Sequence, residues 1–129
     1  MEVKWNNLAI PRNKKATLSW DTKYAGFVHE GYTRNDGSIA PARPWVNTAI
    51  DNFDFIGELK QELAKTSSIR NAFEDMANSF GQECQNNIEA VIWNWDRNTI
   101  RSNGQEVSSP RDIIDTEELY DSYSIQHSE

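Results

Sequence analysis

The chain has 129 residues and a mass of 14.8 kDa, the size of one domain with its own core. Its single cysteine, Cys84, cannot form an internal disulfide, and with only two histidines a zinc site of about four ligands is disfavoured. The formal net charge of −7 has the wrong sign for holding free DNA or RNA through phosphates. No apolar run approaches the ~20 residues of a membrane span, and the first residues do not resemble a signal peptide. We therefore expect no membrane contact, no cofactor and a reducing compartment.

The composition is polar yet rich in aromatic side chains. Hydrophobic residues make up 37% of the chain and the mean hydropathy is −0.77, but there are five tryptophans, five phenylalanines and four tyrosines. Few aliphatic and many aromatic residues suit a small protein that completes its burial against partners.

The first third of the chain, residues 1–45, has the pattern of strands and loops. Apolar and polar residues alternate over residues 17–20, and residues 24–29 form a second β-like run. A protruding loop is expected over residues 32–44, where Asp36-Gly37 signals a turn and two prolines exclude a helix.

Two amphipathic helices are predicted next. Apolar residues at three- and four-residue steps predict a first helix from Val46 to about Lys65. Thr66-Ser67-Ser68 then breaks it, and a serine there can cap the second helix. The second helix carries an apolar stripe over about seven turns, within which Gly81 costs about 1 kcal/mol. The stripe consists of Ile69, Phe73, Met76, Phe80, Cys84, Ile88, Val91 and Trp95.

The last part of the chain is predicted to return to loops and a strand. A polar loop covers about residues 98–112, a short helix or turn follows at 113–119, and residues 120–125 alternate like a final strand. We predict a single α+β domain over residues 1–129, in which a small, mostly antiparallel sheet packs against one long and one shorter amphipathic helix.

The titratable residues favour structural over catalytic roles. Cys84 lies on the apolar stripe, as a core thiol does, and His29 has no serine, cysteine or second histidine at a telling spacing. Four carboxylates at helical spacing are interpreted as the solvated face of the first helix: Asp51, Asp54, Glu58 and Glu62. We therefore predict no enzymatic activity and no metal site.

Basic and tryptophan residues offer candidates for contacts between molecules. Arg12, Lys14 and Lys15 form the one basic cluster that could meet a phosphate, while arginines in the loops could form ion pairs between subunits. Trp93 and Trp95 are expected on both faces of the end of the second helix, so that one of them anchors an interface.

Two segments together resemble a known family. Residues 24–33 read YAGFVHEGYT and are followed by ARPW at 42–45, similar to the pattern Y-A-x-Y-V-E-x-G-T … A-R-P-F of the tail-component family of tailed bacteriophages. Residues 113–122, IIDTEELYDS, resemble that family's V-D-T-G-x-L-R-x-S element, which there also follows a long amphipathic helix. The family consists of small neck, head–tail joining or tail-completion proteins.

The sequence departs from the family pattern in two ways. The helix and the D-T-G element come first in the family and last here, which a circular permutation explains because it preserves a packed core while moving the termini. Chance similarity of short motifs would explain the order as well. Glu117 replaces the family's glycine, which puts a left-handed turn at this position in doubt.

The resemblance implies a virion structural protein that forms a homomeric ring of six or twelve copies at the neck or proximal tail. Its partners would be further copies of itself and neighbouring connector and tail proteins. Genomic DNA would only pass through the lumen, in a virion assembled in the host bacterial cytoplasm. The predicted subunit-interface residues are Tyr32, Arg34, Arg43, Trp45, Trp93, Arg111, Asp115 and Tyr120.

Three alternatives remain open at the level of the sequence. A tail terminator or a head-closure protein of the same virion region would have a similar sequence. A small acidic cytosolic binding or inhibitor module would instead stay monomeric with one tight partner. A carboxylate-dependent hydrolase would need Asp51, Asp54, Glu58 or Asp115 to converge in a pocket.

Overall fold

The computed structural model describes residues 2–6, 14–100, 104–114 and 117–128, and its architecture is α+β, as predicted. The described elements are, in chain order, β1 (Glu2–Asn6), β2 (Lys15–Trp20), α1 (Ala25–Glu30), β3 (Tyr32–Thr33), β4 (Ile39–Ala40), α2 (Trp45–Asn52), α3 (Phe55–Lys65), α4 (Ile69–Glu89), β5 (Thr99–Ile100), β6 (Glu106–Val107), α5 (Glu118–Asp121) and β7 (Tyr123–His127). None of these helices is long and apolar enough to cross a membrane.

The central sheet has three antiparallel strands in the order β1-β2-β7. Alternation in β2 places Ala16, Leu18 and Trp20 on one face, where all three are completely buried. The strand predicted at residues 17–20 is therefore confirmed. The final strand begins later than the alternation predicted, at Tyr123, because residues 118–121 form α5.

Helix α4 packs across the buried face of this sheet and against α2 and α3. The side chain of Ser68 accepts a hydrogen bond from the Asn71 amide at 3.3 Å, so the predicted cap is confirmed. The middle of the predicted stripe is also confirmed, since it is buried in the core: Phe73, Met76, Phe80, Cys84 and Ile88.

Gly81 allows α4 and β7 to approach each other closely. A Cβ atom at this position would overlap the Tyr123 hydroxyl and lie 2.8 Å from the ring carbon that carries it. Burial of this hydroxyl raises the pKa of Tyr123 to about 12. The glycine that weakens an isolated helix is thus required by the packing of this one.

The β-like run at residues 24–29 is a helix, so that prediction was wrong. Ala25 and His29, four residues apart, are both buried, and Val28 packs against the core beside them. A short apolar run fits either a strand or a helical face, and only the surrounding core decides between them.

The predicted first helix is divided into α2 and α3 at Phe53 and Asp54. Asp54 accepts a hydrogen bond from the Gly57 amide at 3.0 Å and thereby starts a new helix. Phe53 is extended, and its ring lies 5.5 Å from that of Phe80. The apolar spacing continues across the break, which is why periodicity alone predicted one helix.

The prediction that α4 extends to Trp95 was also wrong. The helix ends at Glu89, and Trp93 instead pairs with Arg111 through two backbone hydrogen bonds of 2.8 and 2.9 Å. The polar segment predicted as a loop over residues 98–112 contains a short hairpin of β5 and β6.

We expect Gly81→Ala to lower the free energy of unfolding by about 1–3 kcal/mol, although alanine favours helices, because overlap with Tyr123 outweighs propensity. Urea unfolding followed by circular dichroism measures the change. The matched control is Gly26→Ala in α1, where a Cβ meets nothing within 4 Å. This variant should raise the free energy of unfolding by about 0.5–1 kcal/mol.

Removing the Tyr123 hydroxyl should relieve part of its overlap with a Cβ at position 81. Gly81→Ala should therefore lower the free energy of unfolding by less in a Tyr123→Phe background. A stabilising Gly81→Ala, or a cost unchanged by Tyr123→Phe, would contradict the proposed contact.

Candidate subunit interface

The segments that carry the family resemblance meet at one cavity of about 320 Å³. Tyr24, Val28 and Arg43 come from the first resemblance and its ARPW element, while the second contributes residues from 113 to 120. The described residues of its lining are Thr22, Tyr24, Val28, Arg43, Ile113, Ile114, Glu117, Glu118, Leu119 and Tyr120. Segments about 70 residues apart in sequence thus form a single site.

Aromatic side chains next to the cavity are exposed. Tyr24, immediately before α1, is 51% exposed, and Phe27 on α1 is 58% exposed. The Phe27 ring lies 5.9 Å from that of Tyr32, which is 42% exposed. Gly31 makes this geometry possible: its φ is +77°, and a Cβ there would lie 2.7 Å from the Ala40 carbonyl oxygen. The chain can therefore leave α1 directly into the β3–β4 hairpin.

The β3–β4 hairpin is fastened to the segment after α4 by a bidentate ion pair. The Arg34 guanidinium donates to both carboxylate oxygens of Asp96, at 2.7 and 2.8 Å. These hydrogen bonds lower the pKa of Asp96 to about 2 and raise that of Arg34. The Ser38 hydroxyl, on the same hairpin, accepts from Arg34 and from Arg97 at 3.3 Å each.

Trp95 lies beneath two guanidinium groups. The guanidinium carbon of Arg43 is 4.2 Å from the Trp95 ring centroid, and that of Arg34 is 5.1 Å from it. Both distances are within the range of cation–π attraction. Ser109 binds the Trp95 backbone on the other side of the chain, accepting from its amide at 2.5 Å and donating to its carbonyl at 2.9 Å.

Glu117 adopts the left-handed conformation that a glycine would favour. Its φ is +64° and ψ is −6°, and it immediately precedes α5. The replacement of the family's glycine has therefore not removed the left-handed turn. A non-glycine residue pays about 1–2 kcal/mol for this conformation.

The two tryptophans predicted for the interface are buried within the chain. Trp45 is fully buried at the start of α2, with its ring 5.8 Å from Trp20 and 4.9 Å from the His29 ring. Trp93 is 8% exposed and donates its indole N–H to the Asn87 carbonyl at 2.7 Å. Neither side chain presents a large surface to a neighbour, because both complete the core of this chain.

The three predicted interface arginines also make contacts inside the chain. Arg34 binds Asp96, Arg43 is 5% exposed over Trp95, and Arg111 is 2% exposed and donates to the Thr99 hydroxyl at 2.7 Å. Inter-subunit ion pairing through these groups would require breaking contacts that the fold already makes.

The remaining interface candidates differ in their placement. Tyr32 is exposed, and Tyr120 is half-buried in the lining of the cavity. Asp115 lies outside the described residues. Tyr32 and Tyr120 therefore stay candidates for an interface.

The residues considered for catalysis occupy structural positions. Cys84 is completely buried, and burial raises the pKa of its thiol to about 12, which opposes the thiolate needed for nucleophilic attack. His29 is 4% exposed, with its Nδ1 2.6 Å from a Glu30 carboxylate oxygen and its ring against Trp45. The prediction that Cys84 is a core thiol is confirmed.

The four carboxylates do not form one helical face. Asp51 lies on α2, Asp54 caps α3, and Glu58 and Glu62 lie on α3. None of them lines the cavity described above. In the described parts of the chain, no group of three or more histidine, cysteine, aspartate or glutamate residues could hold a metal ion.

Lys14, which was predicted to lie in a basic cluster, is not available to a phosphate. It is 2% exposed, and its ammonium group donates to Glu74 at 2.6 Å and to the Ser128 carbonyl at 2.7 Å. The hydrogen bond from Lys14 lowers the pKa of Glu74. Arg12 lies outside the described residues, so only Lys15 of this cluster is seen to be exposed.

The sequence reasoning missed two contributors to this region. Asp96 was not recognised as the partner of Arg34, because the two residues are 62 positions apart and nothing local links them. Phe27 was assigned to a strand, and its spacing of three residues from Tyr24 was the signal that would have placed both aromatics on one exposed helical surface.

The Asp96 carboxyl should titrate near pH 2 in the native protein, and Arg34→Gln should move its pKa up toward the ordinary value of 3.8. Because the folded pKa is the lower one, this stabilisation is present above about pH 4 and is lost as the pH falls through about 2. NMR titration of the Asp96 carboxyl carbon measures the shift. Arg97→Gln is the control, since its guanidinium Nε is 3.9 Å from the carboxylate and should matter less.

We expect Glu117→Gly to raise the free energy of unfolding by about 0.5–1 kcal/mol, because relief of the left-handed conformation exceeds the entropy cost of glycine. Glu117→Ala removes the same carboxylate without relieving the backbone, so it should give no gain. Urea unfolding measures both free energies of unfolding. If the two variants change this free energy equally, the change comes from the lost charge and the conformational explanation is refuted.

Comparison with known proteins does not identify a function for this chain. No family model matches the chain, and neither the curated proteins nor the solved structures contain a significant match to it. A functional interpretation of the chain therefore depends on its own residues, on their geometry and on the motif resemblance.

Proposed function

We propose that this protein is a virion structural protein of a tailed bacteriophage. It forms a homomeric ring at the neck or the proximal tail, where it joins the head connector to the tail. A ring gives each copy the same heterologous contact with the next, and rotation closes it. Tail termination or head closure in the same region of the virion are variants of this function.

One observation carries the proposal: the family-like segments come together in space although their order in the chain is reversed. Tyr24, Val28 and Arg43 face the same cavity as Ile113, Leu119 and Tyr120. A circular permutation that moves the termini and keeps the packed core is compatible with such an arrangement. The meeting of both segments at one cavity supports the resemblance over a chance match of short motifs.

The surface and the charge are compatible with assembly. Exposed aromatic residues beside the cavity, Tyr24, Phe27 and Tyr32, are the side-chain types that carry binding energy at protein interfaces. The net charge of −7 suits a channel through which DNA passes without binding.

The same exposed aromatic residues would also serve a second candidate function, a small acidic binding or inhibitor module in the cytosol. Such a module would bury Tyr24, Phe27 and Tyr32 against one tight partner and would remain monomeric. The two functions predict different effects on virus particles when the protein is lost.

The deciding experiment is electron microscopy of lysates from a phage whose copy of this gene has an early stop codon. If the protein joins head and tail, DNA-filled heads accumulate beside separate, finished tails, and a plasmid copy of the gene restores complete particles. Abnormally long tails would identify a terminator instead. Normal, infectious particles would refute the virion function and favour the binding module.

A further inference from the structure

Helix α3 has an apolar face that its own core does not use. Phe55 and Leu59 pack against the core, with the Phe55 ring 5.2 Å from that of Phe80. On the adjacent side of the helix, Ile56 is 69% exposed and Leu63 is 38% exposed, with the exposed Lys60 between them. The spacing of four and three residues places these three side chains in one row along the helix.

The cavity lining is complementary to this row, because it combines apolar residues with two glutamates. Its apolar lining comes from Val28, Ile113, Ile114, Leu119 and Tyr120, and about 320 Å³ leaves room for more than one aliphatic side chain. Glu117 and Glu118 belong to the same lining, and both residues are exposed.

Polar residues also belong to the lining of the cavity. The Thr22 hydroxyl oxygen is buried without a hydrogen-bond partner among the described residues, and the buried Arg43 side chain reaches the lining from the Trp95 side.

We propose that α3 of one copy docks into this cavity on the next copy. Ile56 and Leu63 enter the apolar lining, and the Lys60 ammonium group meets the carboxylates of Glu117 and Glu118. An amphipathic helix that lays i, i+4 and i+7 side chains into an apolar groove is a recurrent mode of recognition. The charge of Lys60 is opposite to those of Glu117 and Glu118, which fixes the register of the helix.

A second copy of this chain is the occupant that the observations favour, because one chain carries both halves of the contact. The helix and the cavity are different surfaces, so the contact is heterologous and propagates from copy to copy until rotation closes a ring. The exposed Tyr24 beside the cavity adds area, which a stable interface of about 800 Å² per partner requires. This inference rests on the ring proposed above and names the contact that builds it.

Cysteine cross-linking in purified particles tests the contact. The double variant Ile56→Cys with Glu117→Cys, treated with a short bismaleimide, should give a ladder of multimers, because each copy links to two neighbours. Each single variant should give none, and wild type is the control for Cys84, which is buried. Ile56→Cys with Gln126→Cys, on the exposed side of β7, should also give none.

The outcomes separate this inference from the proposed function. A ladder specific to the first double variant supports the contact. Particles that contain the double variant without a ladder overturn the contact and leave the virion function standing. Absence of the protein from particles that are otherwise normal overturns both.

Charge reversal provides an independent test. Lys60→Glu and Glu117→Lys should each lower incorporation into particles by about tenfold or more, and the two together should restore it. Thermal unfolding of each purified variant verifies that the single changes leave the fold intact. Incorporation that stays low in the double variant, or that no single reversal reduces, contradicts the pairing.

Discussion

The structure depends on the burial of one face of α4. Phe73, Met76, Phe80, Cys84 and Ile88 pack between the sheet on one side and α2 and α3 on the other. The two completely buried tryptophans, Trp20 and Trp45, close this core from β2 and from the start of α2. Each buried side chain of this size contributes roughly 1.5–3 kcal/mol, so substitutions along this face of α4 should be among the most costly in the chain.

Polar residues on α4 connect this core to the candidate interface. Gln85 is 5% exposed, accepts the Trp20 indole N–H at 2.8 Å and donates to the Tyr120 carbonyl at 2.9 Å. Asn87 donates to the Trp45 carbonyl at 3.1 Å. Because a buried amide left without partners costs about 1–3 kcal/mol, these bonds hold α5 and the start of α2 in one arrangement relative to the helix. The cavity is thereby shaped by the core rather than by loops alone.

The aromatic and charged residues of this region fall into a buried and an exposed group. The buried group makes its contacts within the chain and consists of Trp45, Trp93, Arg43 and Arg111. The exposed group consists of Tyr24, Phe27 and Tyr32. The bidentate Arg34–Asp96 pair holds the β3–β4 hairpin that carries Tyr32, so this part of the exposed surface is preorganised. Preorganised loops lose less conformational entropy on association than flexible ones.

The sequence by itself determined the α+β class, the strand at residues 17–20, a serine cap before α4 and the buried stripe of α4, because each depends on local periodicity or on a nearby side chain. Only the tertiary structure decided that residues 24–29 are helical, that Asp54 divides the first helix, and that Trp93 leaves α4 to pair with Arg111. The same holds for the candidate site. Motifs identified the segments around Tyr24 and Leu119, but their meeting at one cavity and the Arg34–Asp96 pair join residues more than 60 positions apart. Local patterns carry no information about such contacts, since these depend on how the whole chain packs.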